Sequence, residues 1–393
     1  MLHLMLAMMR SSGSTDAWRS SNGASPTWNA AAAERLTRFA VDLADGKSPD
    51  PPPPEALLDH STLIRGIAAY RRHPWQRTLT DPPAVWTEGS TRLLDYGGTA
   101  GPAPGPDAPT VVVVPSLVNR SYVLDLMPGR SMLRWLAANG VRPLLLDWGW
   151  PGPVERRFTL TDYIAGRLER ALIAARAANP RLVVAGYCMG GLLAVAAAQR
   201  RPDLISALVL LATPWDFHAD GADQPAALGR ALPLLEPSMS LSGTLPVDVI
   251  QVLFAMLDPA AIADKFRAFA RLDPSSERAK LFVALEDWLN DGVPLSAPVA
   301  RECIGGWYGE NLPARGQWHV AGLPVLPETL SLPTFAAIPG RDRIVPPDSA
   351  YALAAAIPNA HVHRPASGHV SMTTGAKAEN VLWRPLRDWI ISL

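Results

Sequence analysis

Cysteine is nearly missing from this chain: Cys188 and Cys303 are the two thiols among 393 residues. So few exclude a disulfide framework and a cysteine-rich zinc site, and a reducing compartment is the simpler reading. Excess charge is missing too. Lysine plus arginine and aspartate plus glutamate both number 36, for a net charge of +0. That balance offers no bulk field to nucleic acid or acidic lipid, and little repulsion against self-association. No apolar run is long enough to span a membrane: Met1–Met9 contains His3 and is too short. It has no basic stretch before it and no small-residue cleavage site after it, so export is not expected and the cytoplasm is. What is abundant is apolar mass and proline. Hydrophobic residues at 48% against 18% charged allow a large core and exclude global disorder. The 39 prolines argue for many short connections and against coiled coil or helical repeats.

Along the chain, residues 10–30 read as a flexible arm, Ala31–Leu43 as a helix, Ser48–Pro54 as a polyproline linker and Leu57–Tyr70 as a second helix. From Thr91 the pattern changes. Thr110–Val114 is a β-branched run of the kind buried on both faces of a sheet. Ser131–Asn139 follows as a helix with Gly140 at its stop. Then come a strand at Val141–Asp147, a long amphipathic helix at Thr159–Ala178, a strand at Arg181–Tyr187, a helix at Gly190–Arg200 and a strand at Leu204–Ala212. The alternation stops at Pro214. Helices and loops fill 215–330, clearest at Val249–Leu257 and Glu277–Leu289. Alternation resumes at Thr334–Ile338, Ser349–Ile357, Ala360–Arg364 and Glu379–Ile391. The expectation is an α/β domain, its mostly parallel sheet flanked by helices, formed by 91–214 and 331–393. Residues 215–330 form an inserted helical cap, and 1–90 an N-terminal arm and helices with a Pro-rich linker.

The most informative stretch is Gly186-Tyr-Cys188-Met-Gly190-Gly191, a Gly-x-Cys-x-Gly between a buried strand and a helix. A turn this tight demands small neighbours and lifts the central side chain above the sheet at a helix N-terminus, where a thiolate is stabilised. That is a nucleophile elbow with Cys for Ser. A buried structural cysteine is the plainer alternative, and it is the one that fits Cys303, which lacks such a context. In α/β-hydrolases the nucleophile is followed by an acid after a late strand and a histidine after the last. Asp342, after Thr334–Ile338, and His369, after Ala360–Arg364, fall at those places. The rivals His361 and His363 lie inside the last strand. Taken alone, Asp342 would read as a loop carboxylate paired with Arg341 or Arg343, and His369 as a turn histidine. An oxyanion hole needs two N–H donors: Met189, after the nucleophile, and Leu117 or Val118 in the loop after the Thr110–Val114 strand.

These motifs resemble the polyhydroxyalkanoate synthases of the α/β-hydrolase superfamily, most closely the two-subunit class III type. The similarity runs from about Val112 to the C-terminus. It is carried by Pro115-Ser-Leu-Val-Asn-Arg-Ser-Tyr-Val-Leu-Asp-Leu126, Leu145-Leu-Asp-Trp-Gly-Trp-Pro151, Thr161-Asp-Tyr-Ile164 and Gly186-Tyr-Cys-Met-Gly-Gly191. Thr213-Pro-Trp-Asp216, Trp307-Tyr-Gly-Glu-Asn311, Gly340-Arg-Asp-Arg-Ile-Val-Pro-Pro347 and Gly368-His-Val-Ser-Met372 continue it. Two departures stand out. The family's oxyanion loop usually reads Pro-Pro-(Trp or similar)-Ile-Asn where this chain has Pro115-Ser-Leu-Val-Asn119, and residues 1–90 have no clear counterpart.

The resemblance implies an α/β-hydrolase fold and an acyltransferase. Cys188 would carry the acyl chain while Asp342 and His369 assist, polymerising (R)-3-hydroxyacyl-CoA into a growing polyester. No cofactor or metal is expected. A homodimer or a partner synthase subunit, and attachment to the polymer-granule surface, stay open. A thiol suits polymerisation because thioester exchange leaves the acyl group activated, and water must be kept out for growth to outrun hydrolysis. The cap is the expected lid, with Phe254, Phe266, Trp288 and Trp307 either lining it or forming its core. A Cys-dependent thioesterase or intracellular polyester depolymerase would use the same residues. A catalytically silent scaffold is disfavoured by the intact Cys188, Asp342, His369 order, and a dinucleotide-binding protein by the lack of Gly-x-Gly-x-x-Gly after the first strand.

Overall fold

A computed structural model describes residues 54–393 apart from 100, 102–104, 106, 180, 257 and 258. The arm, the helix expected at Ala31–Leu43 and the proline run as far as Pro53 lie outside the described residues. Chain packing divides into two units: residues up to Pro74 with Asp258–Lys280, and Trp75–Leu257 with Leu281–Leu393.

The larger unit is built on an eight-stranded sheet. Its strands are β1 (Ala84–Glu88), β2 (Thr91–Asp95), β3 (Thr110–Val114), β4 (Arg142–Asp147), β5 (Leu182–Tyr187), β6 (Ala207–Leu211), β7 (Thr334–Ala337) and β8 (His361–His363). They lie in the order β1-β2-β4-β3-β5-β6-β7-β8. From β4 to β8 every neighbour is parallel, while β2 runs antiparallel to β1 and β4. This is the mostly parallel, helix-flanked sheet of an α/β-hydrolase. Strand β3 explains the character of the centre. Val112 and Val114 enter one apolar core, Val111 and Val113 the other, so a strand with no polar face fits only where helices cover both sides.

Two sequence expectations are corrected here. The sheet starts at Ala84, ahead of the boundary placed at residue 91, because β1 and β2 form a hairpin. Glu88 pairs with Thr91 across a two-residue turn, and Gly89 takes φ +56° there. The long helix expected at Thr159–Ala178 runs continuously from Leu160 but is not α-helical throughout, being π-helical over Asp162–Leu168 before the α-helix Glu169–Ala178. The wider turn coincides with Arg167 pointing inward, where it donates to Glu155 Oε1 (3.1 Å) and Thr91 Oγ1 (3.0 Å). The C-terminal helix behaves alike, π-helical over Glu379–Trp383 and α-helical over Arg384–Ser392.

Other elements form as their local chemistry dictates. Ser131 caps the helix Met132–Ala138 by accepting from the Arg134 N–H (3.1 Å), and Gly140 at φ +85° lies just past its end. Between β6 and β7 the larger unit contains helices at Asp223–Arg230, Leu232–Ser242, Val247–Ala255 and Ala297–Arg301, the last running into a π-helical segment at Glu302–Gly309. Trp288 and Trp307 are buried there as packing residues. The Trp288 indole donates to the Arg120 carbonyl (2.7 Å), and Trp307 stacks on Phe217. In the smaller unit the helix expected at Leu57–Tyr70 spans Pro54–Arg72, and it packs on Pro259–Phe269 through Leu63, Ile67 and Ala263. Gly66 permits that approach, since a β-carbon there would fall 2.0 Å from the Phe266 carbonyl oxygen. Phe266 belongs to this contact, so a share of the residues expected to form the cap groups with the N-terminal part of the chain.

Candidate active site

Cys188 stands between the end of β5 and the helix Met189–Arg200, with φ 55° and ψ −127°. A non-glycine residue holds such a backbone only where its surroundings over-determine it. The Cys188 N–H donates to the Leu211 carbonyl (2.9 Å), and the Cys188 carbonyl accepts from the Gly191 N–H (2.9 Å). The three glycines are spatial necessities. A β-carbon on Gly186 would lie 2.4 Å from Gly191 Cα, one on Gly190 2.1 Å from the Val114 carbonyl oxygen, and one on Gly191 1.9 Å from Thr213 Oγ1. The sequence therefore folds the turn tightly enough to present the thiol at a helix N-terminus. Cys188 is partly exposed, whereas Cys303 is buried and its thiol is pushed up by burial and by Glu302.

The other two candidates join it. Both Asp342 and His369 are 7% exposed. His369 Nδ1–H donates to Asp342 Oδ2 at 2.7 Å. A carboxylate only accepts, so the Nδ1 proton is fixed and the second ring nitrogen is free for Cys188, whose side chain hydrogen-bonds to the imidazole. Asp342 Oδ1 accepts from the N–H groups of Ile344 (2.8 Å) and Val345 (2.9 Å), which orients the carboxylate. Burial opposes a charged imidazole. The charge of Cys188 and the hydrogen bond to Asp342 outweigh it and raise His369 to about 10. Arg341 turns instead to the Ala366 carbonyl, which removes its pairing with Asp342. His361 and His363 stack on Phe335, and the His363 ring contacts the Val381 carbonyl (2.6 Å).

The expected oxyanion donors separate. Met189 is the first residue of the elbow helix. In the loop after β3 the Val118 N–H donates to Ser116 Oγ (3.0 Å), while Leu117 N–H has no partner among the described residues. The Trp148 indole donates to the Pro115 carbonyl (3.0 Å) and so ties the Asp147-Trp148-Gly149 motif to this loop. Sequence reading alone also missed that Asn311 bridges the return from β6: its Nδ2 donates to Asp216 Oδ1 (2.8 Å) and its Oδ1 accepts from the Phe217 N–H (2.9 Å). Their shared membership in one motif set was the available signal.

Known proteins bear on this geometry. The family model described as alpha/beta hydrolase fold matches residues 109–234. The Poly(3-hydroxyalkanoate) polymerase subunit PhaC of Haloferax mediterranei is 26% identical over 322 residues, covering 79% of this chain and 63% of that protein. The protein of the same name from Synechocystis sp. is 28% identical over 325 residues, covering 79% of this chain and 84% of its own length. Over about four fifths of its length the chain is thus similar to polyhydroxyalkanoate polymerases, on an α/β-hydrolase fold. It spans less than two thirds of the Haloferax protein and most of the Synechocystis one. Among solved structures, a soluble variant of the monoglyceride lipase from Saccharomyces cerevisiae in complex with a substrate analog is 15% identical. That match covers 81% of this chain and 97% of the lipase with a TM-score of 0.52, a likeness of fold alone. The polyhydroxyalkanoate synthase motifs read from the sequence meet at one place: the elbow, the Pro115 loop and the Gly368-His369 turn all lie at the C-terminal edge of the sheet. No described helix is long and apolar enough to cross a membrane.

Proposed function

We propose that this chain transfers the acyl group of an (R)-3-hydroxyacyl-CoA to Cys188, releases CoA, and passes the acyl group to the hydroxyl of another unit, so that a polyester grows. The observation that carries the reading is a thiol on the strained elbow, hydrogen-bonded to a histidine that Asp342 holds in one tautomer. The Cys188 thiolate attacks the thioester carbonyl. The tetrahedral oxyanion is met by the N–H groups of Met189 and Leu117, and the CoA thiolate departs with the proton of the His369 imidazolium. His369, now neutral, accepts the proton of an incoming 3-hydroxyl as its oxygen attacks the Cys188 thioester, and the Cys188 thiolate is restored. Burial of His369 and Asp342 favours an alcohol that arrives on an apolar chain over bulk water.

Purified protein supplied with (R)-3-hydroxybutyryl-CoA tests this through CoA release, polymer mass and free acid. Polymer accumulating with CoA is expected. Free acid alone would replace the reading with a thioesterase, and absence of CoA release would remove it. Its relatives are named polymerase subunits, so a second copy or a partner chain is part of the proposal, to be tested by light scattering of the active species.

A further inference from the structure

Tyr187 immediately precedes the nucleophile, and nothing in the steps above uses it. It is 4% exposed at the end of β5. Its ring lies 5.2 Å from the His369 imidazole, centroid to centroid, with the planes 37° apart. Its hydroxyl donates to the His369 carbonyl (3.4 Å) and also meets the side chain of Thr373. Thr373 in turn donates to the Val370 carbonyl (2.9 Å), so the hydroxyl reaches both sides of the turn that carries the histidine. The imidazole is thereby held on three sides: Asp342 at Nδ1, Cys188 at the other nitrogen and the phenol ring across one face. The residues that hold it come from two separate stretches, the elbow and the Asp342 loop, while the histidine itself sits on the Gly368 turn.

Given the acyl-transfer reading above, we infer that Tyr187 is a positioning residue, which couples the elbow to the histidine turn and keeps the imidazole in line between Asp342 and Cys188. It touches no reacting atom and acts through His369. Because Tyr187 and Cys188 are consecutive, the strained turn that sets the thiol also sets the ring that backs its base. A base displaced by even a fraction of an ångström leaves the line of proton transfer, which is where a positioning residue has its effect.

The test compares Tyr187→Leu, which loses ring and hydroxyl, with Tyr187→Phe, which keeps the ring. In the leucine variant, kcat for CoA release from (R)-3-hydroxybutyryl-CoA should fall on the order of 10–100-fold with KM nearly unchanged, and the phenylalanine variant should recover most of that loss. A second readout needs no substrate: the far-downfield proton resonance of the His369–Asp342 hydrogen bond. It should be sharp in the native chain, exchange faster with water in Tyr187→Phe and vanish in Tyr187→Leu. Native kcat with an unaltered resonance in both variants would overturn the assignment, as would a rise in KM at constant kcat, which marks substrate contact instead. If the native chain releases no CoA, the acyl-transfer reading fails while the resonance still decides the role of Tyr187. If the leucine variant does not fold, the exchange rate in Tyr187→Phe decides: faster exchange supports the tether, and unchanged exchange refutes it.

Discussion

Cys188 and Cys303 are the same side chain in two kinds of backbone. Cys188 sits on a turn with positive φ, at the N-terminus of a helix, partly exposed and hydrogen-bonded to an imidazole. Cys303 sits inside the π-helical segment Glu302–Gly309, 7% exposed, with burial and a carboxylate both opposing its ionisation. On the proposed reading, reactivity belongs to the strand–turn–helix and to the loops that converge on it, and the thiol is only its terminal atom. If that is correct, damage to the turn or to the histidine should matter as much as damage to the sulfur, and damage to Cys303 should read as packing alone.

The largest effect is therefore expected from the pair of thiol substitutions. Cys188→Ala should reduce CoA release by on the order of 10⁴-fold or more, the scale of losing a nucleophile. Cys303→Ala should keep most activity and cost about 1 kcal/mol of stability, read from a denaturant midpoint. Similar turnover in both variants would erase the contrast. Next comes Asp342→Asn, which retains shape but lets the imidazole adopt the wrong tautomer. A fall in kcat of roughly 10³–10⁴ is expected, and a fall within tenfold would mean that the carboxylate does not set the tautomer. Gly190→Ala probes the turn without touching any reacting group. Its β-carbon would meet the Val114 carbonyl oxygen at 2.1 Å, so the backbone must shift. A loss of about 1–3 kcal/mol is expected, with activity falling further than stability; unchanged melting and turnover would show that the elbow has slack.

The β3 strand, the elbow and the order of its partners were legible because each rests on local chemistry. The run Val111–Val114 can be satisfied only inside a two-faced sheet, and Gly186, Gly190 and Gly191 make sense only around a tight turn. The hairpin β1–β2 was not legible. Its first strand is short, follows Pro82-Pro83 and alternates weakly toward solvent, and its place in the sheet depends on pairing β2 with a strand some fifty residues on. The π-helical segments were hidden for a related reason. Their apolar positions still satisfy a helical period, and only the inward Arg167 shows that the turn has widened. Within the site, residue types singled out Cys188, Asp342 and His369, which the structure places side by side, but which of Leu117 and Val118 keeps its N–H unengaged depends on the Ser116 hydroxyl, which no spacing discloses.

The ionic state sharpens the comparison with a smaller effect. His369 is raised from 6.5 to about 10, burial working against the charge and the Cys188 charge and Asp342 hydrogen bond working more strongly for it. A group raised on folding stabilises the fold fully below its unfolded value, and that contribution fades as pH climbs toward the folded one. Thermal stability should therefore decline from about pH 6.5 to pH 10 through this group. Cys188→Ala removes the strongest raising influence, so its decline should be shallower; parallel curves would contradict the ion pair. The smallest effect is expected from Ser116→Ala, which releases the Val118 N–H. A change in kcat of only a few-fold would fit Leu117 as the donor, since loss of a true oxyanion contact costs about 10²-fold or more.

The central claim is that the acyl group rests on Cys188. Acid quench of a brief reaction with (R)-3-hydroxybutyryl-CoA, followed by proteolysis and peptide mass spectrometry, tests it directly. The account predicts a hydroxylamine-labile 3-hydroxybutyryl thioester on the peptide bearing Cys188 and none on that bearing Cys303. An adduct on Cys303, or sustained CoA release with Cys188 unmodified at every quench time and still occurring in Cys188→Ala, would contradict it.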